Sequence, residues 1–121
     1  ANVAEEPDWR ELGKIIDQHV LPNEPLIFFH GLQPPWYDQI FYLGAAHYSH
    51  AFPRTIVKLS KPASPELIRE IPGESAWLIS GQLSENVSEL LPGATVRETH
   101  VIPNLAICTH VQLNHINVET H

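Results

Sequence analysis

Four short strand-like segments set the terms on which this chain can fold: the apolar Leu26 to Phe29, Thr55 to Leu59 and Ala76 to Ser80, and the more polar Thr95 to Ile102. Each is preceded by a segment with helical spacing. Strands that alternate with helices pair most readily in a parallel sheet, because the crossover helix carries the chain back to the starting edge. Eleven prolines punctuate the connections.

The helical segments carry their own start and stop signals. Asp8 stands three residues before Glu11, the spacing of a capping box, and Trp9, Leu12, Ile15, Ile16 and Val20 follow as one apolar stripe. Pro34-Pro35 opens a second helix, with Trp36, Tyr37, Ile40, Phe41 and Leu43 on its apolar side. Ser64 precedes Pro65, an N-cap followed by proline at the first helical position, and Leu67, Ile68 and Ile71 form the buried side. Ser84 caps a short fourth helix carrying Val87, Leu90 and Leu91. Pro72-Gly73 and Pro92-Gly93 stop the last two helices.

After Ile102 the pattern changes. A turn at Pro103-Asn104 leads into Leu105, Ile107, Thr109, Val111 and Leu113, which alternate with Ala106, Cys108, His110 and Gln112. Period two marks a strand with two unlike faces, and two strands joined by a tight turn make an antiparallel hairpin. The expected fold is therefore α/β: a three-layer Rossmann-like sandwich, with a mostly parallel sheet and a C-terminal antiparallel β-hairpin at the edge. Residues 8–113 make a single domain, 1–7 a disordered or cloning-derived lead, and 114–121 a polar tail. A length of 121 residues suits one core.

Charge narrows the function. A formal net charge of -7 leaves too few cations to grip nucleic acid or an anionic bilayer. The single cysteine, Cys108, admits no internal disulfide and reads as a small core residue. No apolar run reaches the ~18 residues needed to span a bilayer.

In an open α/β sheet the default ligand site lies beyond the carboxyl ends of the strands. Those ends carry His30-Gly31-Leu32-Gln33, Ser60-Lys61 and Ser80-Gly81-Gln82. None has the glycine spacing of a phosphate loop or a dinucleotide fingerprint, and Phe29-His30 lacks the acids of a receiver domain. Phe28-Phe29-His30-Gly31 resembles the oxyanion segment of α/β-hydrolases, but no Gly-x-Ser-x-Gly elbow accompanies it. The candidate ligand-binding residues are thus His30, Gln33, Ser80 and Gln82. His47 and His50, three apart, are candidate zinc ligands with His30 or Asp38 as a third; the alternative is a solvent-facing loop that happens to hold two histidines. His110, His115 and His121 read as ordinary residues near the carboxyl end. No catalytic residue and no cofactor is expected.

The order of segments carries a resemblance. Asp8-Trp9-Arg10 opens a helix, Pro22-Asn23-Glu24-Pro25-Leu26-Ile27-Phe28-Phe29 follows, and Tyr37, Phe41 and Tyr42 lie on an aromatic helix. Ala76-Trp77-Leu78-Ile79 and the closing hairpin complete the series. This resembles the soluble domain after the last membrane helix of bacterial dolichyl-phosphate-mannose–protein mannosyltransferase-like, or aminoarabinose-transferase-like, membrane glycosyltransferases. The resemblance spans roughly residues 8–113. It implies a non-catalytic accessory domain on the extracytoplasmic (periplasmic) face of the bacterial inner membrane. Its partners would be the membrane-spanning portion of the same polypeptide and a lipid-linked sugar or acceptor, with no nucleic acid. The family's catalytic acids lie in membrane-proximal loops that no position here matches. The alternative expectation is a small-ligand module, for a sugar or nucleotide-like molecule, with no enzymatic activity.

Overall fold

The computed structural model describes residues 9–29, 55–59, 61–81, 87–103 and 105–114. Helix α1 (Trp9–His19) leads into β1 (Leu26–Phe29). Then come β2 (Ile56–Leu59), α2 (Pro65–Glu70), β3 (Ser75–Ser80), α3 (Val87–Leu90), β4 (Thr95–Ile102) and β5 (Ala106–Gln112). The five strands form one sheet in the order β2-β1-β3-β5-β4. β1 runs parallel to β2 and β3, whereas β5 runs antiparallel to both β3 and β4.

This corrects the expected mostly parallel, three-layer Rossmann-like sandwich. The sheet is mixed, and its longest ladders, β3–β5 and β4–β5, are antiparallel. Alternation of strands and helices fixes parallel neighbours only while each strand adds through a crossover. The last strand returns by a tight turn and inserts between β3 and β4, joining the halves by antiparallel pairing.

Period-two alternation divides the core into two. Leu26, Phe28, Trp77, Ile79 and Cys108 face α1, whose Leu12, Ile15 and Ile16 cover them together with Val20 just beyond it. Ile27, Phe29, Ala76, Leu78 and Val111 face the other way, against Ile68 and Ile71 near α2 and Leu90 and Leu91 near α3. β1 is therefore buried on both sides, which is why its sequence is a continuous apolar run rather than an alternating one. Each fully buried Leu, Ile or Phe of this kind contributes about 1.5–3 kcal/mol.

Local signals fix the connections. The Ser64 hydroxyl accepts from the Leu67 amide at 3.1 Å, and Pro65 occupies the first turn of α2. Gly73 and Gly93, at φ of 83° and 85°, take the left-handed conformation that other residues resist. Residues 34–43, where a second aromatic helix is expected, lie outside the described residues.

Candidate functional site

Two rows of aligned residues cross the sheet on the α1 side. One runs Leu26, Trp77, His110, Glu98 and the other Phe28, Ile79, Cys108, His100. Both begin apolar under α1 and end polar on β4, beyond the reach of its apolar stripe. Glu98 and His100, two apart on β4, share one face by strand alternation, and a register shift separates them from Val96. His19, the last residue of α1, overhangs that polar end.

Glu24 lies beneath the first row, in the turn that joins α1 to β1, and is only 3% exposed. Four donors surround its carboxylate. The Leu21 amide (2.8 Å) and the Trp77 indole N–H (3.1 Å) meet Oε1. The Ser75 hydroxyl (2.6 Å) and His110 Nε2 (2.8 Å) meet Oε2. Burial alone would raise its pKa, but the hydrogen bonds from Ser75, Leu21 and His110, with the attraction of His110, outweigh it and hold the carboxyl below its usual range. Glu24 is thus an anion built into the protein.

Trp77 is the hub of this face. Its ring stacks on His110 at 4.7 Å and 12° between planes, and it lies 5.8 Å from the His100 ring and 6.1 Å from that of His19. The His19 and His100 rings are 4.6 Å apart. Glu98 joins them: its Oε2 lies 2.7 Å from His100 Nε2 and 4.0 Å from His19 Nδ1. The hydrogen bond from His100 lowers the Glu98 pKa, with desolvation opposing it and attraction to the nearby histidines adding to it. One ligand atom from each of His19, Glu98 and His100 lies within 4.8 Å of the other two. An open depression of about 300 Å³ lies beside the Glu24 centre, with Ser75, Arg97, His110 and Gln112 in its lining.

The chemistry of these groups is limited. Ser75 donates its proton to Glu24 rather than to His110, so no imidazole stands ready to activate that hydroxyl. Buried Cys108, across the ladder from His100, has its thiol pushed up to about 12 by burial and the nearby Glu11, and stays protonated. The Glu24 centre can hold structure. The His19–Glu98–His100 group, at the surface, can meet a ligand.

Of the residues singled out from sequence, only Ser80 is described. It ends β3, fully buried, and its hydroxyl has no hydrogen-bond partner among the described residues. His30, Gln33, Gln82, His47 and His50, and Asp38 with them, lie outside the described residues. Sequence reading missed Glu24, His19, Glu98 and His100, and it treated His110 as unremarkable. One local signal was present: Glu98-Thr99-His100 places two donors on one face of a strand. Nothing local ties them to His19. Compared with family models, curated proteins and solved structures, the chain matches none of them.

Proposed function

We propose that this chain is a non-catalytic accessory domain on the extracytoplasmic face of a membrane-embedded, lipid-linked-sugar glycosyltransferase-like protein. The observation that carries the reading is a convergence at Glu24. The string 22–29 supplies that carboxylate, the string 76–79 supplies Trp77, and the closing hairpin supplies His110. Three of the segments on which the resemblance rests are thus bound together by one buried anion. The reading is also supported by chemistry: the described residues assemble no nucleophile–base pair, while catalysis in the resembled family resides elsewhere in the polypeptide. No helix among the described residues is long and apolar enough to cross a membrane, so anchoring falls to other parts of the parent protein.

Fractionation of cells that encode the chain tests this. An antibody to the domain should detect it in membranes after carbonate washing, and protease added from the outer side should remove the epitope. Recovery of the antigen in the high-speed supernatant overturns the reading.

A second reading, a small-ligand module for a sugar or nucleotide-like molecule, is favoured by Ser80. A buried hydroxyl without a partner is costly; that of Ser80 has none among the described residues and lies at the carboxyl end of the parallel strands, where α/β sheets take ligands. Calorimetric titration with simple sugars, nucleotides and lipid-linked sugar fragments should give saturable heat, lost in Ser80→Ala. Flat traces for all three reject it.

A further inference from the structure

The Glu24 carboxylate is buried, and the donors around it are committed to it. The second carboxylate–histidine group on this face is different: it opens to solvent and draws its members from two elements far apart in the chain. We propose that His19, Glu98 and His100 form a binding site for a zinc-like divalent transition-metal ion, with ligands His19 Nδ1, His100 Nε2 and one Glu98 oxygen. The inference is independent of any placement on a membrane protein.

The donor set comes first. Two imidazoles and one carboxylate suit zinc and its neighbours in the first transition row, whereas calcium and magnesium prefer all-oxygen shells. Spacing comes second. Zinc bonds of about 2.0–2.2 Å in tetrahedral geometry leave ligand atoms roughly 3.3–3.5 Å apart. Glu98 and His100 are already at 2.7 Å, closer than that, and His19 is 4.0 Å from Glu98. Binding therefore asks for adjustments of about an ångström by side chains with rotatable bonds.

The backbone beneath these side chains is fixed. Glu98 and His100 alternate onto one face of β4, which β5 pairs in unbroken register from Glu98 to Ile102. The end of α1 is held by Ile15, Ile16 and Val20 in the core. The Trp77 ring lies beside both imidazoles, tilted by 31° to His100 and 43° to His19. The side chains of His19, Glu98 and His100 remain 37%, 46% and 31% exposed. Three protein ligands beneath an open side leave a fourth position for water or a small anion. The bland reading of the same cluster is a surface ion pair beside a stacked imidazole. That reading gives no reason for His19 to join from another element, or for three ligand atoms to converge.

The test is a zinc titration of the full 121-residue chain, stripped with chelator and followed by calorimetry. One site should saturate, with the imidazole nitrogens of His19 and His100 shifting together in long-range nitrogen–proton spectra. Copper(II) at the same site should quench Trp77, and calcium and magnesium should give no heat. Substitutions His19→Gln, Glu98→Gln and His100→Gln, all at exposed side chains, should each weaken this site by more than about tenfold. Unchanged circular dichroism and Tm in these variants separate lost ligands from lost fold. His47→Gln/His50→Gln should leave the binding intact and serves as the control. Absence of saturable binding overturns the proposal. So does binding that survives the three substitutions, or binding that disappears in the control variant instead.

Discussion

Trp77 stands between two carboxylate–histidine pairs that share the same chemistry and have opposite situations. On one side, the buried Glu24 carboxylate is tied to His110, to Ser75, to the indole N–H and to the Leu21 amide. On the other, Glu98 and His100 face water, with His19 beside them. The difference teaches that residue type alone assigns no role. A buried carboxylate must find donors or be neutralised, and once it has them it fixes the elements that supply them. An exposed pair gains little from its own attraction and keeps lone pairs that a ligand can use.

Removing the inner carboxylate is the strongest challenge to this contrast. Glu24→Ala should cost about 3–5 kcal/mol in urea unfolding, because it strands the donors that surround the anion. A cost under about 1 kcal/mol would put the two centres on the same footing. Trp77→Phe keeps a ring in the core but deletes the indole donor, and should cost about 1–3 kcal/mol. It would also shrink the ring that stacks on His110 and lies beside His19 and His100.

Acid sharpens the comparison further. Because the folded-state pKa of Glu24 is lowered, its contribution to stability is complete above the ordinary carboxylate pKa and is lost as pH falls through the lowered value. Urea midpoints followed from about pH 7 to about pH 3 should drop for the native sequence and drop less for Glu24→Gln. Equal slopes would deny the buried anion its part. At the small end, Glu98→Gln and His100→Gln in metal-free protein should change stability by no more than about 0.5 kcal/mol. A larger loss would mean that the outer pair, too, is structural.

Much of the local structure was legible in the chain. Ser64-Pro65, Pro72-Gly73 and Pro92-Gly93 act through neighbours a few residues away, and such signals survive any tertiary arrangement. The alternation from Leu105 to Leu113 likewise identified a two-faced strand. Its partners were not legible, since nothing in Ile107, Thr109 or Val111 says that β3 rather than open solvent lies on the far side. That single insertion makes the sheet mixed. The site was less visible still. Glu24 reads as a polar turn residue because its burial is imposed by Trp77 and His110, which arrive from distant strands. His19 reads as an ordinary polar residue at the end of a helix.

The outer strand β4 bears on a different property, colloidal behaviour. Val96 and Val101 stand in the open on it, an invitation to edge-to-edge growth in a straight strand. The register shift after Val96 breaks the run of amides at the place where Arg97 and Glu98 bring opposite charges to the rim. The Arg97 guanidinium is turned back to donate to Gln112 of the neighbouring strand. A second sheet approaching this rim would meet a kink and two charges instead of a template. Copies of the domain crowded on one surface would therefore stay separate rather than zip into fibres.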